Sequence, residues 1–221
     1  MYEELANLLF PNLPFTVEEI EAKYPARDLK EGAMVTRFGP SPTGFMHVGN
    51  LYGAFIGSEL SRQSNGVFYL RIEDTDSKRE VAGATDLILS SLKHFKIYPT
   101  EGFSYGGNYG PYKQSERKDI YQAYAKKLVS EGKAYPCFMS EEEIANIREE
   151  QELAKIKIGI YGMYATDRDL SLEEIKEKLN NNFYIGIPKV TYEYTSKIVG
   201  TKKFLLEYKD VNIIECVVMK Y

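Results

Sequence analysis

Thr36-Arg-Phe-Gly-Pro-Ser-Pro-Thr-Gly-Phe-Met-His-Val-Gly-Asn50 is the stretch on which the fold is read. Ala33 to Phe38 predicts a strand, Gly39 to Gly44 a turn-rich loop, and His47 to about Gln63 a helix. Outward from it, Val67 to Arg71 predicts a second strand. Val81 to Phe95 predicts a second helix, with Leu87, Ile88, Leu92 and Phe95 at helical spacing. Strand, helix, strand, helix in this order predicts an α/β fold built on a Rossmann-like parallel sheet. A Gly/Pro-rich loop that feeds a helix suits phosphate, because a helix N-terminus presents unpaired N–H groups and the positive end of its dipole. His47 sits at that junction and can donate to a phosphoryl oxyanion, a contact of roughly 1.5–3 kcal/mol. Gly49 lets a ligand approach the backbone closely. Taken alone, the loop matches neither GxGxxG nor a P-loop, and His47 reads equally well as a structural loop histidine.

The second informative run is Leu70-Arg-Ile-Glu-Asp-Thr-Asp-Ser-Lys-Arg79. Ligands in open α/β sheets bind beyond the carboxyl ends of the strands, and both Arg37 and Glu73 fall there. A free amino acid with an acidic side chain needs a cation for carboxylate and an anion for ammonium, and Arg suits carboxylate through its planar fork of donors. The competing reading of these two residues alone is a structural ion pair.

The rest of the chain divides, by pattern, into a helical N-terminal extension (1–32), an α/β segment with the strand–helix order of a half-built parallel sheet (33–110) and a mixed segment (111–221). Tyr2 to Leu9 predicts a short amphipathic helix, and Thr16 with Glu19 caps a second that runs to about Lys23. Residues 98–112 read as a Gly/Tyr-rich loop. Ser115, Ser140 and Ser171 are expected to cap helices, the last two with Glu143 and Glu174 in capping boxes. Phe183 to Ile187, Lys203 to Glu207 and Asn212 to Met219 are predicted strands. An apolar strand at Tyr221 leads to the expectation of a shortened chain.

Composition is that of a globular protein: 221 residues, 43% hydrophobic and 27% charged, with net charge −4. The acidic balance argues against a generally sticky nucleic-acid binder but permits a local basic patch. Two cysteines, Cys137 and Cys216, predict reduced thiols in a cytoplasmic protein rather than a disulfide frame. No stretch reaches membrane-spanning length, and the Glu-rich N-terminal segment fits neither a secretory nor a transit signal.

His47-Val-Gly-Asn50 resembles the HIGH motif of class I aminoacyl-tRNA synthetases. Arg37-Phe-Gly-Pro-Ser-Pro-Thr-Gly44 and Arg71-Ile-Glu-Asp-Thr-Asp76 resemble the glutamyl-tRNA synthetase versions of their loops. Gly110-Pro-Tyr-Lys-Gln-Ser-Glu-Arg117 resembles the segment that leads into that family's inserted acceptor-binding domain. The resemblance implies a Rossmann-like catalytic domain of the class I (HUP) type with an inserted α+β acceptor-binding segment. It implies ATP with Mg2+, L-glutamate and the tRNA acceptor end as partners. Glutamate would attack the α-phosphate of ATP, and the glutamyl group would then move to the terminal ribose. It implies catalytic roles for His47, Gly49 and Asn50, and a glutamate site of Arg37, Gly39, Ser41 and Glu73. ATP contacts would come from Pro42, Thr43, Gly44, His47 and Gly49, and tRNA contacts from Asp76, Arg79 and Arg117. Asn50 departs from the motif's second histidine, and Gly186 stands where many relatives have Arg.

The family's KMSKS loop has no match in the chain, so the C-terminal part of the fold is expected to be missing and the chain to glutamylate tRNA poorly by itself. The runner-up readings are the short paralogue that glutamylates queuosine in tRNA, a non-catalytic tRNA- or nucleotide-binding fragment, and another HIGH-type nucleotidyltransferase. Many relatives bind zinc in the inserted domain. Here the corresponding places read Cys137-Phe-Met139 and Tyr164-Ala-Thr-Asp-Arg-Asp169, too few thiols for a four-ligand site, so zinc is not expected. Metal analysis of the purified chain should find well under one zinc per chain; a stoichiometric zinc would overturn this.

Overall fold

The computed structural model of the protein describes residues 2–76 and 78–179 and the backbone of Tyr184–Gly186. Two compact units emerge, one of residues 18–120 and one of residues 1–17 with 121–221. They divide the chain differently from the ranges 1–32, 33–110 and 111–221. The N-terminal extension is not one appendage. Its first helix, α1 (Tyr2–Leu9), belongs with the second unit, and residues from Glu18 onward belong with the α/β unit.

In the α/β unit, β1 (Val35–Phe38), β2 (Val67–Leu70) and the two-residue β3 (Glu101–Gly102) form a parallel sheet in that order. The helix α3 (Val48–Gln63) joins β1 to β2, and α4 (Ala84–His94) lies between β2 and β3. A short helix, α2 (Val17–Lys23), precedes the sheet. The strands β1 and β2 pair Val35 with Val67 and Arg37 with Tyr69. Because side chains alternate along a strand, this register puts two chemistries on two faces. Phe38, Phe68, Leu70 and Ile72 form the core with Ala54 of α3 and Ile88 and Leu92 of α4. Arg37, Tyr69, Arg71 and Glu73 take the other face.

Beyond β2 the chain stays extended. Ile72 donates to the Tyr112 carbonyl at 3.0 Å and accepts from the Gln114 amide at 2.8 Å. Asp74 secures this join. It accepts from the Ser115 amide at 2.9 Å and the Ser115 hydroxyl at 2.6 Å, with Lys113 Nζ at 3.3 Å. Ser115 is therefore not the helix cap it was expected to be. It lies in a 3-10 turn (Gln114–Arg117), and the helix that follows, α5 (Lys118–Ser130), starts after it.

In the other unit, Leu5, Ala6 and Leu9 of α1 bury against Leu128 and Val129 of α5, which explains why α1 groups there. The helices α6 (Glu141–Leu153) and α7 (Leu172–Lys178) start at the expected capping boxes, Ser140 with Glu143 and Ser171 with Glu174. The strand β4 (Tyr135–Cys137) pairs antiparallel with β5 (Tyr184–Gly186), the described part of the strand expected at 183–187. The strands expected at 203–207 and 212–219 lie outside the described residues. Asp167 is buried and accepts from the Phe138 amide at 2.7 Å and from Lys178 at 3.1 Å. Tyr135, Cys137, Met139, Ile160 and Ala165 pack around that join. The two segments compared with the zinc-bearing ones of relatives are thus held by a hydrogen bond and apolar contact.

Burial of Asp74 works to raise its pKa, but the bonds from Ser115 and Lys113 outweigh it and hold the carboxyl below its ordinary value of 3.8. A depressed folded-state pKa stabilises the fold above the unfolded value, and the contribution is lost as pH falls through the folded one. Asp74→Ala should cost about 1–3 kcal/mol in denaturant unfolding at neutral pH. That difference should shrink as the pH falls below the ordinary carboxylate range; a difference independent of pH would contradict the assigned charge.

Candidate active site

The loop after β1 is pinned to the run after β2 through its own carbonyls. Pro40 O accepts from the Glu73 amide and Pro42 O from the Val81 amide, both at 2.9 Å. Pro40 and Pro42 are buried, while Ser41 and Thr43, which alternate with them, are exposed. Thr43 donates its amide to Ser41 O at 2.8 Å, and Gly44 takes a left-handed φ of 143°. The alternation presents Ser41 and Thr43 to solvent beside the start of α3.

His47 is the N-cap of α3, a position usually filled by Ser, Thr, Asp or Asn. Its Nδ1 accepts from the Gly49 amide at 3.1 Å, and its own amide donates to Asn50 Oδ1 at 3.2 Å. Two consequences follow. With Nδ1 an acceptor, the ring proton of neutral His47 sits on Nε2, so the imidazole presents an N–H donor. Asn50, the residue that departs from the HIGH pattern, closes the reciprocal cap and holds the His47 backbone. The Gly49 amide, one of the donors at this helix terminus, is taken by the His47 ring. A Cβ at Gly49 would lie 3.0 Å from His47 Cε1 and 3.1 Å from Nδ1, so the close approach that the glycine permits is that of this ring.

Arg37 and Glu73 form an ion pair, Nη1 to Oε1, between strand ends 36 residues apart in sequence. The pair passes across Gly39, where a Cβ would meet Glu73 Oε1 at 2.6 Å and Arg37 Cζ at 3.3 Å. Arg71 Nη2 reaches the same Oε1 at 3.5 Å. Among the described residues nothing bonds Glu73 Oε2. The Arg37 and Glu73 side chains are 22% and 24% exposed, enough to be reached from solvent, whereas that of Arg71 is 6% exposed. Two guanidiniums and one carboxylate leave this face one positive charge in excess.

The residues expected at the RNA end divide. Asp76 and Arg79 form an exposed pair at 2.5 Å, and Arg79 is the first cause of the lowered Asp76 pKa. Arg117 turns inward, its Nη1 donating to the carbonyls of Tyr109 and Pro111 at 3.3 and 2.9 Å. These bonds hold the turn around the cis Gly110–Pro111 bond. A neighbouring cluster had no local signal in the sequence. Arg27 makes a forked pair with buried Glu101 and stacks 3.7 Å from the Tyr109 ring centroid, and Tyr112 donates its hydroxyl to Glu101 at 3.1 Å. Burial opposes the charge on Arg27, but Glu101 prevails and keeps its pKa above the ordinary value. The cluster ties the segment ahead of β1 to the loop after β3. Among the described residues, no three His, Cys, Asp or Glu side chains gather as a metal site, and no helix is long and apolar enough to cross a membrane.

Residues 33–186 match the family model described as tRNA synthetases class I (E and Q), catalytic domain. A glutamate–tRNA ligase of Acetivibrio thermocellus is 48% identical over 225 aligned positions, covering 97% of this chain and 41% of that protein. One of Clostridium perfringens is 51% identical with the same coverage. The crystal structure of a glutamate tRNA ligase from Elizabethkingia meningosepticum in complex with its amino acid superposes with TM-score 0.62 and 34% identity, over 71% of this chain and 32% of that one. The chain thus spans about two fifths of the length of these sequence relatives.

The cap geometry is open to a direct test. Gly49→Ala should push the His47 ring off the helix terminus, so that the residue-49 amide exchanges with solvent severalfold faster than in the unaltered protein. Unchanged exchange at that amide would show that the imidazole does not cap it.

Proposed function

The chain belongs to the class I tRNA synthetases of the E and Q group, and on that premise we propose that its α/β unit binds ATP and L-glutamate as part of a glutamate–tRNA ligase. The observation that carries this reading is the charge arrangement beyond the strand ends. L-Glutamate carries two carboxylates and one ammonium; the face carries two guanidiniums and one carboxylate. Arg37 takes a substrate carboxylate in a planar fork, and Glu73 takes the ammonium through Oε2. In the free protein these two residues satisfy each other, so binding exchanges one internal ion pair for two intermolecular ones.

Beside them, the N-terminus of α3 and the Nε2–H of His47 suit the phosphates of ATP. Asn50 and Gly49 act through His47, the one by holding its backbone and the other by making room for its ring. Ser41, Thr43 and Gly44 line the approach, Gly39 leaves room for the ion pair, and Pro42 fixes the loop. The reacting carboxylate is already a nucleophile, so the residues contribute position and charge stabilisation rather than proton transfer. The carboxylate oxygen bonds to the α-phosphorus as pyrophosphate leaves, giving glutamyl-adenylate, and the glutamyl group then passes to the terminal ribose of tRNA. Mg2+ would arrive on the ATP phosphates, as it commonly does, and supply charge neutralisation there. Asp76 and Arg79, exposed at the end of the same run, would be available to the tRNA acceptor end.

Calorimetric titration tests both halves. His47→Ala should weaken ATP binding, and Arg37→Ala should weaken L-glutamate binding, each by about 10- to 100-fold, the loss of one charge-assisted hydrogen bond. Equal affinities in variant and unaltered protein would remove the basis for the corresponding subsite.

A further inference from the structure

Arg71 adds its charge to the site just described but makes no contact with a substrate group there, and its surroundings are unusual. Its side chain is 94% removed from solvent by the 6% that remains exposed. Nε has no hydrogen-bond partner among the described residues. Its one ion-pair contact is Glu73 Oε1 at 3.5 Å, the outer limit of a hydrogen bond, and Arg37 holds that oxygen more closely. A guanidinium buried with so little compensation is costly, and a purely structural position would be served better by an apolar side chain. The strand register supplies the reason for its place. Arg71 is two residues before Glu73 on the same face, with Nη2 at 3.5 Å from Glu73 Oε1, while Arg37 reaches the same oxygen from the neighbouring strand.

From this geometry we propose that Arg71 is the positioning residue for Glu73 and the source of the site's preference for an amino acid of net charge −1. The inference rests on the reading that Arg37 and Glu73 hold the amino acid. When a substrate carboxylate takes Arg37, Glu73 loses its nearer partner. Arg71 then remains as the fixed cation beside it, so the carboxylate stays aimed at the ammonium instead of following Arg37. The same buried charge is what makes the cluster net positive. Without Arg71, the pair Arg37 and Glu73 is neutral and has no electrostatic reason to choose a dicarboxylic amino acid over its neutral amide.

The test uses the 221-residue chain, unaltered and as Arg37→Ala, Arg71→Met and Arg71→Lys, titrated calorimetrically with L-glutamate, L-glutamine and glutarate, with thermal melting for the fold. Arg71→Met should reduce the ratio of L-glutamate to L-glutamine affinity by about tenfold, the scale of one unit charge acting across roughly 10 Å at the effective dielectric of a protein site. Arg71→Lys should keep that ratio within about threefold, because the charge is retained. It should narrow the advantage of L-glutamate over glutarate, which lacks the ammonium group, because a single ammonium cannot fix Glu73 as a guanidinium does. A merely structural role predicts that all three ligands weaken together, with both ratios unchanged, and that result overturns the inference. Should Arg71→Met fail to fold, Arg71→Lys decides alone: an unchanged glutamate-to-glutarate ratio, or a collapsed glutamate-to-glutamine ratio, refutes it. Should Arg37→Ala bind L-glutamate like the unaltered chain, or the unaltered chain not bind it saturably, the underlying amino-acid site fails and Arg71's role with it. Loss of binding in Arg37→Ala with unchanged ratios in both Arg71 variants refutes the Arg71 role alone.

Discussion

The Arg37–Glu73 ion pair is the constraint around which the α/β unit is arranged. It needs two parallel strands in a register that puts both side chains on one face, and a glycine at position 39 because the pair occupies the space of its Cβ. It also needs the extended run after β2 held straight, which the bonds of Ile72 to 112–114 and of Asp74 to Ser115 provide. An ion pair this exposed contributes little to stability by itself. Its consequence lies elsewhere: a cation and an anion stand ready at the strand ends, each the partner of one group on a zwitterion. The apolar face of the same strands, packed on α3 and α4, supplies the rigidity that makes the placement repeatable.

The other half of the site is organised by a cap. His47 folds back onto its own helix, with Gly49 making room for the ring and Asn50 returning the bond. The ring takes one helix amide, that of Gly49, and presents an oriented Nε2–H in its place. The cap also accounts for Asn50 chemically: a short side-chain carbonyl at the third helical position can reach the N-cap amide.

What could be read from the sequence was whatever depends on residues close together in the chain. The capping boxes at Ser140 and Ser171 involve partners three residues away, and both helices start where expected. The strand–loop–helix around Arg37 and His47 is local too, and the rule that ligands gather beyond strand ends brought Glu73 beside Arg37. What escaped depends on distant partners. Arg27 and Glu101 are 74 residues apart, and Asp74 claims Ser115 from 41 residues away, which is why Ser115 read as a helix cap. The strand β3 is only two residues long, too short for any periodicity to show. The split of the N-terminal extension between two units likewise follows from Leu128 and Val129, far from α1 in the chain. The bonds of Arg117 to the carbonyls of Tyr109 and Pro111 are also invisible in its motif, because they depend on the turn that the intervening chain makes.

The central claim is that the Arg37–Glu73 pair opens to admit an amino acid. A crystal structure of the chain with L-glutamate bound measures this directly. It should show the substrate ammonium about 3 Å from Glu73, a substrate carboxylate at similar distance from Arg37, and the two side chains no longer bonded to each other. An intact Arg37–Glu73 pair with the ligand bound elsewhere would contradict it.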